Sequence, residues 1–489
     1  MNKKSILTST DTRRRFLKQC FTGSLGILLA DLALADPYRP LPRIWTPSQP
    51  LRIQGRVTSK GKGIAGVGVT DGLQVVATKA DGSFEIQSNT NQSFVSLSMP
   101  SGYKVPLNPT GTASFYKALP EKGNQTFKAN FELLAQEDPD DQHQILVLAD
   151  PQTQDQEEMQ RFHNETIPDV QAWLKTNAAP AYSVACGDIM FDHLELYPEY
   201  EKAVQKMGIP GFQVVGNHDV NVAAKTEETS VKTFMQHFGP TYYSFNRGEI
   251  HYVVLDNVFW YGGYMGYLDQ DQLDWLKADL ALVEKGKTVV VFAHIPVYTN
   301  QHIRDNERRP GNASVLTNRD LLYKLLEPYQ SHILAGHTHF SDHLRDGSSH
   351  IHVCGAVCGA WWSGDICWDG APNGYSIYQA KGSQVSWQYK STGKPISHQM
   401  RLYKPGAEKL APNEIVANVW DADENWKIFW YEDGMKKGRM SRRTGKDPLA
   451  VEQQTGPELP KKRSWVEPRN NDHMYYAPVS PDSKEVIVE

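Results

Sequence analysis

Five short apolar runs, each ending in a side chain able to hold a cation, constrain this chain more than any other feature. Residues 144–149 lead into Asp150-Pro151-Gln152, 182–186 into Gly187-Asp188, and 212–215 into Gly216-Asn217-His218-Asp219. Residues 288–292 lead into Ala293-His294, and 332–335 into Gly336-His337-Thr338-His339. Runs of that length suit buried strands. The stretches between them carry a helical period: Leu273, Leu276, Leu280 and Val283 behind an Asp269 cap, then Leu321, Leu322, Leu325 and Leu326. Strands alternating with amphipathic helices predict an α/β domain. In an open sheet of that kind, ligand sites gather outside the carboxyl ends of the strands. The pattern therefore predicts one shared edge for Asp150, Gln152, Asp188, Asn217, His294, His337 and His339. Glycines ahead of Asp188, Asn217 and His337 allow a sharp turn and a close approach to a common centre. Fourteen of the sixteen histidines fall between His143 and His352, which marks this region as the chemical one.

The donors are oxygen and imidazole with no thiolate, a set that suits zinc, manganese or iron. Seven are too many for one four-coordinate ion and enough for two if a carboxylate bridges. A pair of ions about 3.5–4 Å apart clamps a phosphoryl group and polarises a water for in-line attack. Two carboxylates against two divalent ions leave a net charge of about +2, which suits an anionic phosphate. No G-x-S-x-G elbow supports a serine nucleophile. The net charge of −5 becomes −9 without the first 35 residues, so the chain lacks the basic track that long duplex nucleic acid requires.

Taken in order, D-x-Q, G-D, G-N-H-D, H and G-H-x-H resemble the motifs of the calcineurin-like metallophosphoesterase superfamily, over residues 145–353. The flanking β-rich stretches, with Gly359-Ala360-Trp361-Trp362 and Asp369-Gly370-Ala371-Pro372-Asn373-Gly374-Tyr375, resemble its bacterial three-domain branch. The resemblance implies a central αββα sandwich flanked by two small all-β domains. It implies two divalent ions (Mn, Zn or Fe), one held by Asp150, Gln152, Asp188 and His339. The other is held by Asp188, Asn217, His294 and His337, with Asp188 bridging. His218 would face the scissile phosphate and protonate the leaving oxygen, with Asp219 orienting its ring. Gln152 departs from the pattern, standing where the superfamily more often has histidine. Asp192 stands one place late in the second motif and reads as a surface or supporting carboxylate.

Further candidates are weaker. Trp361 and Trp362 suit stacking on a base or sugar, although tryptophan pairs more often pack cores, and Asn373 and Asp365 suit hydrogen bonds to substrate. Residues 301–312, with Arg304, Arg308 and Arg309, read as a lid whose arginines contact substrate. His343 and His350 read as satisfied or solvent-facing rings. The activity expected is hydrolysis of a small phosphomonoester or phosphodiester. A nuclease or cyclic-nucleotide phosphodiesterase is the second reading, and a binding protein with a degenerate site the third.

Outside this region, residues 1–35 resemble a bacterial twin-arginine export signal: Thr12-Arg13-Arg14-Arg15-Phe16-Leu17-Lys18, a modest apolar run, then Ala33-Leu34-Ala35. A periplasmic or secreted protein with no membrane span after signal removal is expected. Residues 49–135 alternate short apolar runs with turn signals such as Asp81-Gly82 and resemble small carboxypeptidase-regulatory-like β-sandwiches. The catalytic region is expected at 142–395 and a second β-domain at 396–489. Cys186, Cys354, Cys358 and Cys367 are expected as buried thiols.

Overall fold

The computed structural model describes residues 48–489 apart from residue 458, so the twin-arginine segment lies outside the described residues. Two sheets form the centre. The first joins β1 (Gln142–Leu148), β2 (Ala181–Cys186) and β3 (Gly211–Val214) in parallel, then β10 (Gly374–Lys381) and β11 (Gln384–Ser391) antiparallel beyond β1, in the order β3-β2-β1-β10-β11. The second orders β4 (Tyr243–Arg247), β5 (Ile250–Val254), β6 (Thr288–Phe292), β7 (Gln330–Ala335), β9 (Ser349–Val353) and β8 (Asp342–Asp346); β5, β6, β7 and β9 are parallel.

Strand period places alternate residues on opposite faces. Ile145 and Val147 of β1, Val184 of β2, Val254 of β5, Phe292 of β6 and Leu334 of β7 share one buried cluster between the sheets. Leu146 and Leu148 face outward, onto Ile167 and Val170 of α1 (Ile167–Thr176) and Tyr200 and Val204 of α2 (Tyr197–Met207). On the far side Val289, Val291 and Ile333 meet Leu273, Leu276 and Leu280 of α3 (Gln270–Leu280) and Leu322 and Leu326 of α4 (Arg319–Leu326). Each such aliphatic side chain contributes about 1.5–3 kcal/mol by leaving water. The result is the αββα sandwich. Asp269 caps α3 by accepting the Gln272 N–H at 2.8 Å.

Residues 50–132 form β-sheets in which Pro50–Ser59 pairs antiparallel with Ser83–Asn89. Gly82, at the turn, takes φ +80°, and a Cβ there would lie 2.2 Å from the Val57 carbonyl oxygen. Leu51, Ile53, Val69 and Phe84 from these sheets belong to the same buried cluster as the sandwich interior. The C-terminal stretch builds a four-stranded sheet (Arg401–Tyr403, Glu414–Asn418, Ser441–Lys446, Asn470–Pro478) and a three-stranded one (Phe429–Glu432, Met435–Arg439, Val486–Val488). Cys186, Cys354, Cys358 and Cys367 are buried free thiols. Among the described residues no helix is long and apolar enough to cross a membrane.

Candidate metal centre

The carboxyl ends of β1, β2, β3, β6 and β7 converge, and with them the donors. Asp150, Gln152, Asp188, Asn217, His294 and His339 are all buried, and His337 is half-buried. Asp150, Gln152, Asp188, His337 and His339 take φ values of 47°, 38°, 45°, 73° and 53°. Left-handed backbone costs a residue with a Cβ about 1–2 kcal/mol, and such strain concentrates at functional sites. The glycines supply room: a Cβ on Gly216 would sit 1.9 Å from the Asp188 nitrogen, and one on Gly336 would sit 2.4 Å from Asp150 Oδ2. Neither glycine has a positive φ, so the sharp turning expected of them falls largely on the donor residues.

Each histidine is fixed by a backbone carbonyl. His294 Nδ1 donates to Cys186 O at 3.1 Å, His337 Nε2 to Ala313 O at 2.9 Å, and His339 Nδ1 to Gly359 O at 2.6 Å. The opposite nitrogens turn inward. His339 Nε2 is buried with no hydrogen-bond partner, 3.6 Å from Asp150 Oδ1. Around His294 Nε2 lie Asn217 Oδ1 at 3.1 Å, Asp188 Oδ1 at 3.2 Å and His337 Nδ1 at 3.2 Å. Acceptors massed this way call for positive charge. Burial opposes a charged His294, but Asp188 overcomes it and raises the ring to about 9, so in the chain alone a proton answers part of that demand. Burial holds His337 at about 3 and His339 at about 4, leaving both rings neutral with a lone pair to offer. An orphaned imidazole nitrogen and converging carboxylate, amide and imidazole donors, each braced by a carbonyl, fit a pair of divalent cations.

Three expectations need correction. Asp219 does not orient His218. Its carboxylate accepts the N–H groups of Ile189, Met190 and Gly216 and the Tyr197 hydroxyl, fastening the loop after β2 to the loop after β3. Asp192 takes the orienting place, with Oδ1 2.8 Å from His218 Nδ1, while Phe191 stacks on the ring at 4.4 Å. Burial opposes a charged His218, and Asp188 followed by Asp192 raises it. Gln152 presents its amide N–H to Asp188 Oδ2 at 3.1 Å, so it braces the central carboxylate instead of turning a bare oxygen inward. Arg304 is buried against Asp342 and Asp472 with Phe340 under its guanidinium, turned away from the cleft beside His337.

The remaining candidates divide. Trp361 stacks on His339 with ring centres 4.0 Å apart and packs against Trp368 and Trp465. Trp362 is a packing residue whose Nε1 donates to Pro151 O at 2.9 Å. Asn373 is buried behind the centre, donating to Gly364 O, and its Oδ1 has no partner. Asp365 pairs with Arg161 at the surface. A cleft of about 260 Å³ opens beside His337, lined by Gln301, His302, Pro310, Phe340, Trp368 and Arg469. The 301–312 stretch therefore does border the centre, through residues other than Arg304. Arg469 was not foreseen. It lies over Trp368 at 4.7 Å and 3.2 Å from Asp305, more than a hundred residues along the chain from the motifs, and no local pattern marks it.

Family models match three stretches of the chain. The model for calcineurin-like phosphoesterase matches residues 143–341, that for its N terminal residues 51–136, and that for its C terminal residues 351–489. The serine/threonine-protein phosphatase CPPED1 of Mus musculus is 29% identical over 182 residues, 35% of this chain and 57% of that protein. Purple acid phosphatase 15 of Arabidopsis thaliana is 32% identical over 164 residues, 30% of this chain and 28% of that one. The chain thus spans little more than half the length of the first relative and less of the second. A solved dimetal phosphatase from Danio rerio aligns at TM-score 0.36 and 14% identity, covering 52% of this chain and 97% of that one.

Proposed function

The chain belongs to the calcineurin-like phosphoesterase family, and from that premise we propose that it is an exported, binuclear metal-dependent hydrolase of a small phosphomonoester or phosphodiester. Binuclear metal centres are the family's rule. The observation that carries the reading is the inward set of ring nitrogens on His294, His337 and His339, gathered around Asp188 and Asp150 with His218 alongside. Two divalent ions there would polarise the phosphoryl oxygens and lower the pKa of the attacking water. Asp150, Asp188 and His339 would serve one ion, with Gln152 bracing Asp188. Asp188, Asn217, His294 and His337 would serve the other.

His218 stands where it can give a proton to the leaving oxygen. Its backbone N–H is tied to Asp188 at 2.8 Å, its ring is held by Asp192, and its side chain is one-quarter exposed. Arg469 and His302 bring donors to the cleft, and Trp368 an apolar wall. A volume of about 260 Å³ suits a small ester better than a polymer.

The deciding assay loads the mature chain with manganese or zinc and offers p-nitrophenyl phosphate and its bis-ester. Turnover that disappears in Asp188→Ala and His218→Ala supports the hydrolase, and the ratio of the two rates separates monoesterase from diesterase. Two ions bound with neither ester cut would leave the binding-protein reading standing. Export is tested by Arg13→Lys with Arg14→Lys, expected to strand the protein in the cytoplasm.

A further inference from the structure

Towards the β8 edge of the second sheet, the hydrocarbon core between the sheets gives way to imidazole. His332 on β7 lies directly across from His350 on β9, and His343 on β8 directly across from His352. His350 and His352 are two residues apart on one strand, so both project to the face that also carries Cys354. On β5 and β6 the corresponding inward positions are Tyr252, Val254, Val290 and Phe292. Here the rings meet one another. His350 and His352 stack with centres 4.2 Å apart, His332 and His352 lie 5.3 Å apart, and Trp387 of β11 stands edge-on 4.6 Å from His352.

Packing does not explain this choice, because each ring brings two polar nitrogens that need partners. Among the described residues, neither ring nitrogen of His350 has a hydrogen-bond partner. The others form a chain. Asp421 Oδ1 accepts from His343 Nε2 at 2.8 Å, and His343 Nδ1 faces His352 Nδ1 at 3.0 Å. His352 Nε2 lies 3.0 Å from His332 Nδ1, and a His352 proton placed on Nδ1, towards His343, leaves Nε2 a lone pair for an ion. Burial holds His332 at about 4 and His350 at about 3, and it holds His352 well below the usual imidazole range, so these three rings are neutral at pH 7.

We propose that His332, His350 and His352 form a further metal site, separate from the centre at Asp188, that takes one zinc-class ion through three imidazoles. One nitrogen from each ring lies within 4.8 Å of the others. Zinc–nitrogen bonds of about 2.0–2.1 Å in a tetrahedron set ligand nitrogens roughly 3.3 Å apart, so binding turns the stacked rings and draws their nitrogens together by up to about 1.5 Å. His332 is half-buried and lines an open cavity of about 790 Å³, which gives the ion an entry and a water the fourth position. His343 and Asp421 stand behind His352 as the carboxylate–histidine support that fixes a ligand's tautomer. The other oxygen of Asp421 accepts the Tyr389 N–H at 3.0 Å, so a bound ion would tie the edge of the second sheet to β11 and to the C-terminal stretch. An all-nitrogen donor set favours zinc, copper or nickel over manganese. His337 follows His332 by five residues, roughly 16 Å along an extended strand, so the two sites share no ligand.

Crystals of the full chain grown with zinc chloride, measured at the zinc absorption edge, provide the test. A peak among the three rings, in addition to density at Asp188, is the expected result. Its absence while the Asp188 centre is filled would overturn the proposal. In solution, the metal-stripped chain dialysed against zinc is expected to hold one equivalent more than His350→Gln or the half-exposed His332→Gln, each checked for folding by circular dichroism. Equal zinc content in the original chain and a folded variant would also overturn it. This difference is read whether or not the protein hydrolyses phosphate esters. Should both variants fail to fold, the diffraction map of the unaltered chain decides.

Discussion

At the scale of single residues, two neighbouring carboxylates have exchanged the roles their positions suggest. Asp219 sits in the G-N-H-D motif beside His218, yet it is spent on three backbone N–H groups and a tyrosine hydroxyl. Asp192 belongs to a different loop and reaches His218 instead. Opposite outcomes follow. Asp219→Ala leaves buried donors unpaired at about 1–3 kcal/mol each, so the unfolding free energy from urea titration is expected to fall by several kcal/mol. Asp192→Asn takes the charge from behind His218 and is expected to lower kcat about tenfold to a hundredfold, with thermal stability close to that of the original chain. If Asp219→Ala proved as stable as the original and Asp192→Asn as fast, the exchange of roles would be wrong.

At the scale of elements, the ends of β1, β2 and β7 hold their donors in left-handed backbone against a ring of facing acceptors, an arrangement that a cation relaxes. Stripping the metals with a chelator is expected to lower Tm, and restoring manganese or zinc to raise it. The gain is about 4 kcal/mol at a thousandfold excess of free ion over Kd. Strand β1 contributes a second, pH-dependent effect through His143. That ring donates to Asp140 O and accepts from the Tyr252 hydroxyl, and burial lowers it to about 4. A folded pKa below the unfolded value of about 6.5 means the unfolded chain binds the extra proton. Stability is therefore complete above pH 6.5 and is lost as the pH falls towards 4, by about 3 kcal/mol from this group. Urea titrations at pH 7 and pH 4.5 check it: His143→Gln is expected to lose less between the two than the original chain.

At the scale of the molecule, the C-terminal stretch is part of the neighbourhood of the site. Asp472 pairs with Arg304 from the 301–304 turn, and Arg469 reaches the cleft beside His337. Arg304→Ala strands Asp342 and Asp472 without their cation, at about 3–5 kcal/mol, and is expected to weaken folding while leaving the preference among esters unchanged. Arg469→Ala is expected to raise KM for p-nitrophenyl phosphate roughly tenfold with kcat nearly constant, the mark of a binding contact. A change of ester preference in the first variant, or none in KM in the second, would reverse the assignment of the two arginines.

The neighbourhood of Asp150, Asp188, Asn217, His294, His337 and His339 was legible in the bare chain because it needs only local information. An apolar run makes a strand, the sheet orders the strands in parallel, and whatever follows each run must come out at one edge. Side-chain direction is not local in that sense. Which carboxylate meets His218, which way the Gln152 amide turns and where Arg304 is buried depend on groups brought in from other loops, as Arg469 and Asp421 are brought in from the C-terminal stretch. The histidines at 332, 343, 350 and 352 show the same boundary. A two-residue spacing puts His350 and His352 on one strand face, but only the pairing of β7, β9 and β8 beneath Trp387 made four scattered rings into a cluster, since contact between strands is settled by register and packing across the whole sandwich.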